Sequence, residues 1–255
     1  MHNPAPIHHR IMFSDLAGCK TPGLMTIDGR EAQHLAKVKR ARVGEMVGVL
    51  DGKGAMGIGE IAEISGSKQR PIIAILLDRV DMIAPIQPRI EICCPAPKGD
   101  RLERMIDQLT QIGVDSWIPL VSKRSERNPD SIRTDRLERV INEACKQCIR
   151  ARSLRIEQPQ TLDQALQATS TDQIIVCDAT GESSMITMQF NQPSRVLIGP
   201  EGGWSDDERD QFSDSKIQVC RLGAHVLRLE SAAVVAGSIA LAHAQPPIPI
   251  NEGFS

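Results

Sequence analysis

From Ile90 onward, short apolar runs alternate with stretches of helical period, and this alternation constrains the fold more than any other feature. Ile90 to Cys94, Trp117 to Val121, Ile174 to Cys177, Val196 to Ile198 and Ile217 to Leu222 read as buried strands. Between the first two, Leu102, Met105, Ile106, Leu109 and Ile112 recur at helical spacing, with Gly113 placed to end the helix. A second helix starts at Thr134, with Leu137, Val140, Ile141 and Ala144 on one side, and the last covers Ala232 to His243. Asp100-to-Glu103, Thr161-to-Gln164 and Ser205-to-Glu208 have the pattern of capping boxes. Mostly apolar strands alternating with helices predict a mostly parallel sheet covered on both faces.

The first eighty or so residues have a different rhythm. Met46 to Leu50, Ile58 to Ile64 and Ile72 to Leu77 are strand candidates, and the first pair flanks the turn Asp51-Gly52-Lys53-Gly54. Short strands with Gly-rich turns suggest a small barrel. Gly29 to Val38 reads as one short helix, because His34, Leu35 and Val38 share a face. Two prolines punctuate Ile83 to Pro88, so that segment is read as a linker. The expected domains are 1–84 and 85–255.

Composition excludes several functions. No segment approaches the roughly 20 apolar residues of a membrane span, and the first residues lack the apolar core of a secretory signal. The expectation is a cytoplasmic protein without membrane contact. Seven cysteines show no disulfide framework, and Cys145-x-x-Cys148 falls late in a helix without further ligands at metal spacing, so no metal is expected. The net charge is −2, yet cations cluster at His34, Lys37, Lys39, Arg40 and Arg42, at Lys123, Arg124 and Arg127, and from Lys146 to Arg155. Such clusters either bind phosphate or form solvated faces. Tyrosine is absent, with four Phe and two Trp, so base stacking on an aromatic platform is not expected.

Two segments carry chemistry. Gly199-Pro200-Glu201-Gly202-Gly203 follows a buried strand and opens a helix; it is neither a P-loop nor GxGxxG. Glycines there let backbone approach a ligand at the carboxyl end of a parallel strand, although a tight turn explains them equally. Leu222-Gly223-x-x-x-Leu227-Arg228-x-Glu230-Ser231-Ala232 runs from a strand through a loop into a helix. Alone, its Arg and Glu read as an ion pair and a cap.

Together the two segments resemble the RsmE family of the SPOUT superfamily, the 16S ribosomal RNA uracil-N3 methyltransferases. Lys98-Gly99-Asp100-Arg101, Gln111 to Val114, Pro119, Ser125 to Arg127, Glu143 to Arg150, Arg10 and the His34-to-Arg40 helix follow in the family's order, so the resemblance covers nearly the whole chain. Leu229 stands where relatives often carry Thr, Ser231 replaces a second Thr, and Lys39 replaces a Leu.

The resemblance implies a PUA-like barrel followed by an α/β domain with a trefoil knot, a topology pattern reasoning would not propose. It implies S-adenosylmethionine held by Gly199, Pro200, Glu201, Gly202 and Gly203 on one wall and by Leu222, Gly223, Val226, Leu227 and Leu229 on the other. Arg228 would stabilise charge on the uracil, and Glu230 would hold Arg228 or cap the last helix. Arg10, Lys39, Arg40, Arg42, Lys98, Arg127 and Arg150 would bind the RNA, either free 16S rRNA or the assembled small subunit. A homodimer through the knot domain is implied. Three other readings compete: a non-catalytic RNA-binding protein, a nucleotide enzyme on an open sheet, and a ribose 2′-O methyltransferase of the same superfamily.

Overall fold

The computed structural model describes residues 6–125, 128–167, 173–213, 217–242 and 244. The chain divides into two compact units, one built on the N-terminal 85 residues with 145–153, the other from 86–144 and 154–245.

The first unit is a five-stranded sheet. Its strands are β1 (Ile7–Met12), β2 (Gly23–Ile27), β3 (Met46–Leu50), β4 (Ala55–Gly66) and β5 (Pro71–Met82), in the order β1-β3-β4-β5-β2. β1 runs parallel to β3 and the remaining pairs are antiparallel. Ile11, Leu35, Val47, Val49, Ile61, Ile73 and Ile75 are fully buried and build the core. The β3–β4 turn is set by Asp51, whose Oδ1 accepts from the amides of Lys53, Gly54 and Ala55 at 2.6, 2.9 and 2.8 Å. Gly52 and Gly54 take φ of 73° and 122°, which a side chain would strain.

Residues 145–153 also belong to this unit. The Gly54 amide donates to Ala151 O at 3.0 Å, and the Ser153 amide donates to Gly52 O at 2.9 Å. Arg152 Nε reaches Ile83 O at 3.0 Å. A cut of the sequence at one point therefore does not reproduce the units.

The helix expected over 29–38 is two pieces: α1 (Gly29–Gln33), then a π-helical turn over His34–Lys39 that ends at Arg40 with φ 53°. β1 and β2 were not legible in the sequence, since β1 mixes histidines into its apolar run and β2 has only five residues.

The second unit is α/β. Its strands are β6 (Ile90–Cys94), β7 (Ser116–Val121), β8 (Arg155–Ile156), β9 (Gln160–Thr161), β10 (Gln173–Cys177), β11 (Ser183–Ser184), β12 (Ser194–Ile198) and β13 (Ile217–Arg221). The order is β11-β13-β10-β12-β6-β7-β8, with β9 also on β7, and every pairing is parallel. Its helices are α2 (Arg101–Ile112), α3 (Thr134–Cys148, of which 145–148 count with the first unit), α4 (Leu162–Leu166), α5 (Asp206–Asp210) and α6 (Leu229–Leu241).

Both sheet faces are covered, as the apolar strands require. Leu162 and Ala165 of α4 join Cys93, Ile118, Val176, Leu197, Trp204 and Phe212 on one face. On the other, Met105 of α2 reaches Cys94 at 3.9 Å. α6 packs on α2 at Gly237, where a Cβ would stand 2.9 Å from both Ile112 and Val114.

Thr161 and Ser205 form their capping boxes. Asp100 does not: it is itself helical in φ and ψ and makes no cap bond. Its carboxylate pairs with Arg104 at 2.5 Å, and Glu103 pairs with Arg136 at 2.6 Å, so nearby cations take both acids. α6 starts at Leu229, three residues before the expected Ala232.

Candidate functional site

Register fixes the site. Cys177, the last residue of β10, lies opposite Ile198 of β12 on one side and Cys220 of β13 on the other. The loops that follow β12 and β13 therefore leave the same edge of the sheet and flank the end of β10. They are the two Gly-bearing segments.

The first loop is pinned from below and behind. A Cβ on Gly199 would stand 2.9 Å from the Trp204 indole, which is 1% exposed and donates its N–H to Cys177 O at 3.1 Å. Gly199 is thus a glycine because Trp204 folds back under the loop. Gly203 takes φ 67° and closes a turn onto Pro200 O at 2.8 Å. Arg124 donates to the carbonyls of Gly202 and Trp204 at 2.8 and 3.3 Å. Pro200 is buried, while Glu201 and Gly202 are exposed.

Glu208 ties this loop to the one after β7. It is buried, and its two carboxylate oxygens accept from the Ser205 amide at 2.7 Å and the Lys123 amide at 2.9 Å. Burial pushes its carboxyl up, but these backbone donors outweigh that and hold it below the usual range. Lys123 also pairs with Asp207. Asp178, directly after β10, accepts from the Thr180 amide and hydroxyl and from Arg209 at 3.1 Å. Burial opposes these contacts, yet its carboxyl also ends below the usual range.

The second loop is open. Val226 is 89% exposed and Leu227 38%. Nothing lies within 4 Å of the Cβ position of Gly223. Leu222 is half-buried. Leu229 is buried and begins α6, so its side chain belongs to the core and only its main chain can face a ligand.

Arg228 is the N-cap residue of α6 in extended conformation, with its carbonyl accepting from Ala232 N at 2.8 Å. Its side chain is exposed and has no ion pair or hydrogen bond among the described residues. Glu230 faces Arg101 instead, at 3.8 Å. Of the two roles expected of Glu230, holding Arg228 is not what it does here: it lies inside the first turn of α6 and meets the start of α2.

The expected RNA contacts are distributed over both units. Arg10 is half-buried on β1 opposite Gly48, and Lys39, Arg40 and Arg42 are exposed around the end of the π-turn. Arg150 follows α3, its amide bonded to Cys145 O at 3.0 Å. Lys98 is exposed at the start of α2, where it lines a cleft of about 490 Å³ together with Ser131, Arg133 and Arg136. Arg127 lies outside the described residues. Sequence reasoning missed Arg133 and Arg136 as lining residues, and missed the brace formed by Trp204, Glu208, Lys123 and Arg124. The Ser205–Glu208 spacing announced the cap, but a carboxylate shared with Lys123, 85 residues away, leaves no local signal.

Cys145 and Cys148 remain thiols on α3, both pushed up chiefly by burial, which opposes thiolate chemistry. Among the described residues no His, Cys, Asp or Glu cluster is arranged to hold a metal, and no helix is long and apolar enough to cross a membrane.

Comparison with known proteins agrees with this geometry. A family model described as an RNA methyltransferase domain matches residues 85–241, and one described as an RNA methyltransferase PUA domain matches 27–69. The protein named ribosomal RNA small subunit methyltransferase E of a Synechocystis species is 26% identical over 86% of this chain and 71% of its own. Its namesake in Mycobacterium bovis is 27% identical over 85% of each chain. Among solved structures, a methyltransferase from Legionella pneumophila in complex with S-adenosylmethionine superposes with a TM-score of 0.78 at 26% identity, covering 94% of this chain and 99% of that one. The Neisseria gonorrhoeae small-subunit methyltransferase E shares the fold, with a TM-score of 0.77 over 93% and 97% of the two chains at 21% identity. The chain, with a PUA domain followed by a parallel α/β unit that carries two glycine-bearing loops at one sheet edge, belongs to the RNA methyltransferase family.

Proposed function

We propose that this chain methylates N3 of a uridine in small-subunit ribosomal RNA, with S-adenosylmethionine as donor. The observation that carries the reading is the shared carboxyl end of β12 and β13 from which the two loops leave, with Arg228 exposed and without an ion pair or hydrogen bond among the described residues at the start of α6.

The loops fit the donor. Gly202 and Gly223 are exposed main chain, and Val226 and Leu227 offer apolar surface. An adenosine needs that pairing: close N–H and C=O groups for its ring edge and apolar surface for its faces. S-adenosylmethionine supplies an electrophilic methyl on a sulfonium. Residues 199–203 and 222–227 would hold it, with Leu229 contributing main chain only.

The chain's own part is electrostatic and positional. Uracil N3–H is a weak acid, and removing its proton places charge on the flanking carbonyl oxygens. Arg228, unpaired and next to the second loop, would stabilise that charge. The Glu208 and Arg124 brace would hold the first loop still, so that the reacting atoms stay aligned. Glu230 would fix α6 against α2 through Arg101 rather than orient Arg228. Lys98 would meet RNA phosphate near the same edge.

The reading includes a knotted second unit, a homodimer formed through it, and action in the cytoplasm on 16S rRNA or the assembled subunit. The exposed Val226 and Leu227 support burial by a ligand or a second copy. The test is incubation of the purified protein with S-adenosylmethionine and either extracted 16S rRNA or small subunits from a strain lacking its gene. A new N3-methyluridine is expected. A ribose 2′-O-methyl product would replace this reading with the sister chemistry, and no product with either substrate would reject it.

A further inference from the structure

The π-helical turn of the first unit turns outward a side chain that the sequence directs inward. Leu35 and Val38 are three apart and would share the buried face of an α-helix. Leu35 is fully buried, but Val38 is 66% exposed. The Arg40 amide donates to Leu35 O, five residues back, and this wider turn rotates Val38 away from the core. Arg40 then takes φ 53°, an uncommon value for a residue with a side chain. Such conformations cost free energy and concentrate at functional sites.

The loop beyond is tied down while Val43 stays out. Ala41 is buried and its amide donates to Leu35 O at 3.0 Å. The Arg42 amide donates to Glu45 at 2.9 Å, and Glu45 pairs with His9 at 2.9 Å. Val43 is 59% exposed between these anchors. Lys37, Lys39, Arg40 and Arg42 flank the two valines along the chain, all exposed and none in an ion pair or side-chain hydrogen bond among the described residues.

A second apolar surface on the same unit gives the contrast. Leu24 and Leu76 are cross-strand partners, 66% and 50% exposed, but Leu76 is also paired with Glu60 of β4. Val43 also has carboxylates nearby, Glu45 on its own loop and Glu60, whose Oε1 is 3.9 Å from the Cβ position of Gly44, but exposed cations outnumber them there. Val38, Val43 and these cations together fit a polyanion that carries apolar faces. A single-stranded RNA is such a polymer. Aromatic stacking is not on offer, since every Phe and Trp among the described residues is buried or half-buried.

We propose that Val38 and Val43 form an aliphatic platform for an unstacked RNA base, with Lys37, Lys39, Arg40 and Arg42 holding the phosphates on either side. This rests on the reading of the chain as an RNA methyltransferase. It explains why the turn keeps a strained geometry that exposes a valine. The four cations supply salt-dependent affinity, and the valines supply a part that does not depend on salt.

The test measures affinity for poly(U), which is single-stranded, and for an RNA duplex over a range of salt concentrations. Val38→Ser with Val43→Ser is expected to weaken poly(U) binding about tenfold at every salt, the scale of losing partial burial of two valines. The salt slope and duplex affinity should not change, nor should the melting temperature, since both side chains are exposed. Unchanged poly(U) affinity, or an equal loss on the duplex, would overturn the platform. Replacing the four cations together with Gln should instead flatten the slope. A wild-type protein that binds neither RNA would overturn the platform, whereas the methyltransferase reading falls only if 16S rRNA and small subunits both give no methylated product.

Discussion

The indole of Trp204 occupies the space into which a side chain on Gly199 would project, with ring atoms 2.9 to 3.2 Å from that Cβ position. The ring is buried and its N–H is bonded to Cys177 O, so it cannot swing away without losing both. Gly199→Ala should therefore cost about 1–3 kcal/mol, the usual price of overpacking a filled site. A drop of several degrees in melting temperature is expected. An unchanged melting curve would mean that the ring has room to move.

Glu208 should govern part of the acid limb of stability. Its folded carboxyl lies below the usual range, so its contribution is present above that range and is lost as the pH falls through the folded value. Glu208→Gln turns one of the two acceptors into an N–H donor facing a backbone N–H. The variant should be about 1–3 kcal/mol less stable at neutral pH. The difference from wild type should shrink as the pH falls through the lowered folded value, where the native carboxyl is protonated as well. Denaturant melts across that range measure it, and a difference that stays constant with pH would refute the assignment.

Legibility in the sequence followed locality. β6, β10 and β12 are legible because strands buried on both faces are mostly apolar, each with a run of two or more aliphatic or cysteine residues at its carboxyl end. Thr161 and Ser205 were readable because a capping box closes within three residues. The Asp100 pattern has the same spacing with an acid at the cap and misleads, since Arg104 takes Asp100 and Arg136 takes Glu103, and only Arg104 is near in sequence. The strand order was not readable: β10 inserts between β12 and β13, a pairing decided by packing. Residues 145–153 were read as part of the second domain, although their backbone bonds go to Gly52 and Gly54. In the site, the two loops were found through resemblance. The reason for Gly199 and the partner of Glu230 needed coordinates.

The Arg195–Glu91 pair should be hard to break from one side. Arg195 binds Glu91 through Nε and Nη2 at 3.0 and 2.9 Å, and a further bond reaches Ala165 O at 3.0 Å. Both side chains are 12% exposed. Arg195→Met leaves Glu91 largely buried with Arg89 at 3.8 Å from its other oxygen, which should cost up to about 3–5 kcal/mol. The double change Arg195→Met with Glu91→Leu should recover much of that. A cost as small as that of a surface pair would mean that Arg89 alone compensates the Glu91 charge.

Arg228 separates chemistry from architecture. Its side chain has no protein partner among the described residues, so Arg228→Ala should leave the melting temperature and S-adenosylmethionine affinity close to wild type. The single-turnover methylation rate should fall by about 10²–10³, the scale of losing one donor to transition-state charge. Arg228→Lys should recover little, because an ammonium does not present a planar fork of donors. Glu230→Ala should behave in the opposite way. Glu230 faces Arg101 at 3.8 Å across the starts of α6 and α2, so its loss should lower the melting temperature and touch the rate only through that loosening. Melting curves and single-turnover rates on the three variants separate the two roles. A normal rate in Arg228→Ala would remove Arg228 from the chemistry. A melting loss in that variant equal to that of Glu230→Ala would make the arginine structural after all.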